Sequence, residues 1–392
     1  MSERIQHACL LLALASLPFS IALAQLASAL AILAWLAGLF RGRRPPLTGL
    51  EIPLLLFLAW IFLSLPFAEN RLESVFHLKR WLALPLIWML AESASGEERR
   101  KHYLLALLLG IVGASLLALP QKFGYFPTPL EFQNSTRVSL TTNPMTAGAL
   151  MAMGAVTLLG FLFAGEWKWK KARFFLALLP VMLALLLTET RSCWLGFLAG
   201  LIFLIFLRKR RALPLLFLGL LLTGLLLPSH YQDRFLSSFR GGEDYKSEWQ
   251  RLHMWKVGAM MVRDRPLTGF GDCDLKEIHG RYIQEDEKEN VVVYGHLHSN
   301  LAMFAVLWGI PGLFIVLLFL FRIPQLLYAR WQTTNPEGRA PPLASEWTMG
   351  VLAAWAAFFV AGLFEWYFGD GEVILLLWML TGIGLAREEG SS

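Results

Sequence analysis

The chain has 392 residues, of which 56% are hydrophobic and 16% charged. A soluble globule is about 45–50% apolar and about 25% charged, so the balance excludes an ordinary soluble domain and points to a polytopic membrane protein. The formal net charge of +6 lies largely in short loops between apolar runs, which gives no ground for a nucleic-acid partner.

A membrane helix needs about 20 apolar residues, within about 17–25. That rule predicts spans near 8–25, 26–40, 50–66, 77–93, 101–120, 144–164, 173–189, 192–208, 212–228, 298–321, 346–364 and 372–386. The expected fold is therefore all-α with about twelve transmembrane helices. The earlier helices fall within 1–228, a long loop with short amphipathic helices occupies 229–297, and the last helices fall within 298–392. The apolar run from Ala8 is followed at once by another, and reads as a retained helix rather than a cleaved signal.

Alternate loops carry Arg41-Gly42-Arg43-Arg44, Arg99-Arg100-Lys101, Lys168-Trp169-Lys170-Lys171, Arg208-Lys209-Arg210-Arg211 and a stretch bounded by Arg322 and Arg339, and Arg387 follows the last span. Lys and Arg in short loops mark the cytoplasmic side, so both termini are expected there. Cys9, Cys193 and Cys273 are scattered, with neither a disulfide framework nor a zinc spacing.

Two loops on the opposite side are longer, 121–143 and 229–297. In the second, Trp249, Leu252, Trp255 and Ala259 recur at helical spacing. Arg265-Pro266-Leu267-Thr268-Gly269-Phe270-Gly271 reads as a turn. A second short helix is expected within 274–290, with Leu275, Ile278 and Tyr282 on one face. The chain then enters GHLHSNLAMFAVLWGIPGL, where His296, His298, Ser299 and Asn300 precede an apolar helix carrying Ala305, Gly309 and Gly312. Small residues let a helix backbone approach its neighbours in a membrane.

The informative residues are the cations on the outer side. A charge at mid-membrane costs about 2.5–3.5 kcal/mol on insertion scales, so intramembrane cations usually serve a function. Arg191 sits in LLLTETRSCWLGF, Lys79 and Arg80 open the fourth predicted span, Arg137 lies in the first outer loop, and Arg265 follows the amphipathic helix. Together with His298 they suit a large anion, and the planar guanidinium fork bonds two phosphate oxygens at once. A diphosphate at a lipid surface is the natural candidate. Each residue also has a plainer reading. A boundary Arg snorkels or pairs with a carboxylate, Glu189 is two residues from Arg191, Arg265 can cap the preceding helix, and His298 can be a satisfied interfacial side chain. His296 reads as structural or solvated. Asp272-Cys273-Asp274 has the spacing of a divalent-metal pair, but Glu277, Glu285, Asp286, Glu287 and Glu289 make the whole loop acidic, so neither metal nor cofactor is expected. Glu365 and Asp370, in the last outer loop, are left without a role.

His298-Ser299, then nine residues, then Gly309-Ile310-Pro311-Gly312 matches the pattern H-[NSQ]-x9-G-x-x-[GTY] and resembles the Wzy-C superfamily. That superfamily holds O-antigen ligases, O-antigen polymerases and pilin O-oligosaccharyltransferases. TRVSLTTNP around Arg137, TETRSCWLGF around Arg191 and RLHMWKVGAMMVRDRPLTGFG through Arg265 are similar to family segments as well. Two departures, RVSLTTNP in place of a Gly-containing run and Glu-Thr before Arg191, bear on substrate detail. The resemblance implies a GT-C-like inner-membrane glycosyltransferase with its active site facing the periplasm. It implies metal-free transfer, with inversion, of a glycan from undecaprenyl diphosphate to a lipid A–core sugar hydroxyl. His298 would be the base and Arg191 and Arg265 would stabilise the diphosphate, with Arg80, Arg137, Lys79 and Asn300 binding substrate. Polymerase and protein O-oligosaccharyltransferase activities use the same logic and stay open. A lipid-linked glycan transporter is the alternative of a different class.

Overall fold

A computed structural model describes residues 2–129, 132, 137–162, 168–226, 228–229, 232–233, 246–283, 291–334 and 343–386. Arg339, Arg387 and the acidic residues Glu285, Asp286, Glu287 and Glu289 lie outside the described residues.

Among the described residues every regular element is helical. In chain order these are α1 (Ser2–Ser16), α2 (Ile21–Leu39), α3 (Glu51–Ser64), α4 (Arg71–His77), α5 (Pro85–Ser93), α6 (Glu97–Ser115), α7 (Ala118–Lys122) and α8 (Pro144–Leu162). There follow α9 (Lys168–Leu187), α10 (Arg191–Lys209), α11 (Leu213–Leu226), α12 (Lys246–Asp264), α13 (Lys276–Gly280), α14 (Asn300–Thr334), α15 (Leu343–Ala361) and α16 (Gly371–Leu385). Among the described residues, 5 helical runs are long and apolar enough to cross a membrane: Ile21–Leu39, Glu97–Lys122, Pro144–Phe161, Arg191–Leu226 and Asn300–Thr333. Shorter apolar helices cover Glu51–Phe67, Phe175–Leu187, Glu346–Ala361 and Gly371–Leu385. This is the helical pattern of a polytopic membrane protein.

Local chemistry explains where the predicted spans differ. The first boundary falls at 17–20 rather than 25, because Pro18 interrupts the helix and Ser20 caps α2 by accepting from Leu23 N. The expected span 77–93 is broken: α4 ends at His77, a 3-10 stretch Leu78–Ala83 carries Lys79 and Arg80, and α5 starts at Pro85. Proline has no N–H to continue the preceding turn but fits the first turn of a new helix.

The core is a close packing of α8, α10 and α15, joined by α14 and α16. Glycines set its spacing. A Cβ on Gly160 would lie 2.6 Å from Gly350 Cα, and one on Gly196 would lie 2.6 Å from the Ala357 carbonyl oxygen. Membrane interfaces use small residues in this way, since lipid gives no hydrophobic drive for helices to meet.

One break in this packing determines how the 266–271 turn is held. Within α14, Gly309 is non-helical, at φ 70°, and Pro311 removes the N–H that would bond the Leu307 carbonyl. Two carbonyls lose their helical donors and find others, and a third, that of Trp308, receives a side-chain donor. Phe270 N donates to Val306 O at 2.9 Å, Gly271 N donates to Leu307 O at 2.9 Å, and Trp60 Nε1 donates to Trp308 O at 2.9 Å. Ile310 N in turn donates to Pro266 O at 2.7 Å. A Cβ on Gly309 would lie 2.2 Å from Leu267 O, so only glycine lets the 266–271 turn come this close. The small residues of the helix thus meet a loop and the α3 tryptophan, and the span predicted at 298–321 is a longer, interrupted helix.

Candidate active site

Several helices begin at the same end of the bundle and surround one cavity of about 160 Å³. Met145, in the first turn of α8, lines it, as do Arg191 and Ser192 at the start of α10, and His298 just before α14. Gln250, Arg251 and Met254 of α12 line it too. Arg137, Glu189, Thr190, Tyr294 and Glu365 complete the lining. Helix N-termini carry partial positive charge and unpaired N–H groups, so this end of the bundle favours anions before any side chain is counted.

The backbone is strained where it meets the cavity. Glu189 (φ 50°) and His298 (φ 46°) occupy the left-handed region that L side chains rarely adopt. Each such residue costs on the order of 1–3 kcal/mol and persists only when its surroundings fix it. Leu140, at φ 54°, is held outside the cavity by its N–H to Gln121 Oε1 at 2.8 Å.

His298 is fixed by a carboxylate from the loop between α15 and α16. Its Nδ1 lies 2.8 and 2.9 Å from the two Glu365 oxygens. An ionised carboxylate only accepts, so Nδ1 carries the hydrogen and Nε2 keeps the lone pair. Burial alone would push the Glu365 carboxyl up, but His296 and His298 beside it outweigh that and hold it below the usual carboxylate range. Trp366 N also donates to Glu365 Oε1 at 3.0 Å. Tyr294 packs edge-on against the His298 ring, with centroids 5.0 Å apart. His296, His298 and Glu365 bring metal-ligating atoms within 4.8 Å of one another.

Arg137 braces the turn between α9 and α10, donating through Nε to Thr188 O at 2.9 Å and through a terminal nitrogen to Thr190 Oγ1 at 2.7 Å. Glu189, buried, is paired with Lys122 at 3.6 Å. Arg251 is half-buried in the cavity wall and has no hydrogen bond or ion pair among the described residues.

The remaining predicted residues are elsewhere. Arg265 donates to Glu69 at 2.6 Å, its guanidinium stacks over Phe270 at 4.6 Å, and it lines a separate, open hollow with Pro66, Arg71 and Asp264. Arg281 shares Glu69, also at 2.6 Å. Arg80 pairs with Asp272 at 3.3 Å, and His77 Nδ1 lies 3.1 Å from the same carboxylate. Lys79 is exposed. Asn300 is buried and structural in its contacts: its N–H donates to Gly362 O at 2.7 Å and its Oδ1 accepts from Phe368 N at 3.0 Å. Asp274 accepts from Lys276 N at 2.8 Å, so the two aspartates of the DxD-like run have separate partners.

Sequence reasoning passed over Arg251 and Tyr294 and gave Glu365 no role. A signal existed for two of them. Arg251 shares the predicted helix with Trp249 and Trp255, and Glu365 is a lone acid in the apolar run GLFEWYFG.

Residues 176–317 match the Wzy-C family model, described as O-antigen ligase. The matched segment contains Arg191, Arg251 and His298. No curated protein matches the chain. Over residues 176–317 the chain is therefore similar to the O-antigen ligases of the Wzy-C family.

Proposed function

We propose that this protein is a ligase that moves a glycan from undecaprenyl diphosphate onto a sugar hydroxyl of lipid A–core, on the periplasmic face of the inner membrane. In this reading about twelve helices span the bilayer, both termini are cytoplasmic and the cavity faces outward. One observation supports it above the others: Arg137, Arg191 and Arg251 line the same cavity as a histidine whose Nδ1 is bound by a carboxylate.

The chemistry follows from those groups. The acceptor hydroxyl gives its proton to His298 Nε2 as its oxygen attacks the anomeric carbon. The bond from that carbon to the diphosphate oxygen breaks, and the electron pair leaves with the diphosphate. Attack opposite the leaving group inverts the anomeric centre. Negative charge grows on the leaving oxygens, and donors fixed in advance in a partly dry site stabilise that growth. Arg191 and Arg251 serve this role, and Arg137 contributes while holding the 188–190 turn. Glu365 fixes the tautomer of His298 and stabilises the imidazolium that forms. It is a positioning residue. In this reading Arg265, Arg80, Lys79 and Asn300 support the water-side segment or the helix ends rather than the leaving group.

The test is a reconstituted assay with purified protein, chelator, lipid-linked donor, and lipid A–core either present or withheld. Glycan appearing on lipid A–core supports the ligase. Longer lipid-linked chains without core would mean a polymerase, glycan on a pilin serine a protein transferase, and donor crossing the bilayer without transfer a transporter.

A further inference from the structure

Beside the proposed base lies a second imidazole that the transfer reaction does not use. His296 Nε2 is 3.4 Å from Glu365 Oε1, and His298 Nδ1 is 2.8 Å from the same oxygen. The two imidazole rings have centroids 4.4 Å apart and are tilted by 55°, so both converge on one carboxylate. Glu365 is 6% exposed. Donor atoms of the three residues all lie within 4.8 Å of one another.

Zinc bonds of about 2.0–2.1 Å at the tetrahedral angle hold donor atoms about 3.3 Å apart. The His296–Glu365 separation already has that value, and the His298–Glu365 pair needs to open by only a few tenths of an ångström. Two imidazoles and one carboxylate form a three-ligand zinc set that leaves the fourth position open. Here His298 and Glu365 both line the cavity, so the three-ligand set adjoins the space the substrate would occupy. Magnesium prefers octahedral oxygen and keeps its waters, whereas imidazole suits zinc, nickel and copper.

We propose that His296, His298 and Glu365 form a binding site for a borderline-soft divalent metal of the zinc class, and that occupancy shuts off transfer. The second half rests on His298 being the base. A metal on Nδ1 needs the lone pair there, so the single hydrogen that Nδ1 carried passes through solvent to Nε2, with no net loss of a proton. The ring stays neutral with its one hydrogen on Nε2, so Nε2 donates and cannot accept the proton of an incoming hydroxyl. The metal also draws Glu365 away from its role in orienting the ring. The site is inhibitory, and a chelator restores the base.

The experiment uses the purified full chain in detergent with cobalt(II) as a spectroscopic probe. One equivalent binds with the strong visible bands of a low-coordinate site, zinc bleaches those bands, and millimolar magnesium leaves them unchanged. His296→Ala weakens zinc binding more than about 100-fold, above the range for losing even an outer partner of a metal site. Cobalt bands that are absent, or unaltered in His296→Ala, overturn the proposal. X-ray absorption on the zinc-loaded wild type needs no variant: a shell with two imidazoles supports the site, and a shell of oxygens alone or of thiolate sulfur refutes it. The two readings fail separately. Cobalt binding without any glycan transfer leaves the metal site standing and removes the ligase. Transfer that is indifferent to zinc and a silent cobalt spectrum remove the metal site and leave the base.

Discussion

Gly200 of α10 lies against the backbone of Ala353 in α15, so close that a Cβ on Gly200 would sit 2.8 Å from the Ala353 carbonyl oxygen and 2.8 Å from Val156 Cγ1. Gly196, one turn earlier, meets Ala357 in the same way. Two glycines four residues apart therefore hold α10 against α15, and with it the depth at which Arg191 enters the cavity. Gly200→Val is expected to destabilise the protein by about 1–3 kcal/mol through overpacking and to lower transfer. Thermal unfolding in detergent with a parallel activity assay checks this. A variant as stable and active as wild type would show that the contact is not what fixes the helix.

Arg251, within α12, and Arg265, just past its end, should behave differently. They lie about 20 Å apart along the helix axis, at a rise of about 1.5 Å per residue. Arg251→Ala is expected to reduce kcat by about 10²–10³, the cost of losing one fixed donor to developing charge, while the protein inserts and elutes normally. Arg251→Lys should restore only part of this, because the planar fork is lost. Arg265→Ala should affect stability more than turnover. Reversed effects would move the diphosphate to the Arg265 side.

Glu365→Gln keeps an acceptor near His298 but removes the charge that stabilises an imidazolium. The expected result is a fall in kcat of about 10²–10⁴, the range for general-base catalysis, with the KM for donor little changed. A rise in KM alone would assign Glu365 to substrate binding instead.

The Glu69 triad predicts acid sensitivity. The hydrogen bond from Arg281, joined by the Arg265 charge, holds the Glu69 carboxyl below its usual range. A depressed folded-state value stabilises above the ordinary carboxylate pKa of about 4.3, and the contribution is lost as pH falls through the folded value. Melting temperature measured from pH 6 downward should therefore fall less steeply in Glu69→Gln than in wild type, which a pH series on both proteins reads directly.

Burial pushes the Cys273 thiol up to about 12, and only the thiolate is reactive. Cys273 should resist a maleimide at pH 8 in the folded protein and react after denaturation. Mass spectrometry of the labelled peptide checks this. Rapid labelling before denaturation would show that the 270–275 segment opens readily.

Much of the helix order was legible because apolar runs and turn residues are local signals. The gap between α9 and α10, the amphipathic α12 and the turn at 265–271 fall where the residues predicted them. Charges out of place in apolar runs suggested one cluster of Lys79, Arg80, Arg137, Arg191, Arg265 and His298, of which the cavity holds Arg137, Arg191 and His298 and not the others. Pairings across long separations were not legible. The sequence shows a cation at Arg265 but not that Glu69, 196 residues away, accepts from it. Nor does it show that Glu365, 67 residues from His298, turns toward the imidazole. Arg251 was missed for the converse reason: on an amphipathic helix at the water side, a cation that faces inward has the same local pattern as one that faces solvent. The interruption of α14 was in principle readable, since Pro311 must free the Leu307 carbonyl, but which group would take that carbonyl was not.

The carbonyls that α14 surrenders around Gly309 have a mechanical meaning. The bonds that Phe270 and Gly271 donate to Val306 and Leu307 fasten the 266–271 turn to the middle of α14, as rivets fasten a bracket to a beam. Under a pulling force the 266–271 turn and the middle of α14 should therefore come away in a single rupture.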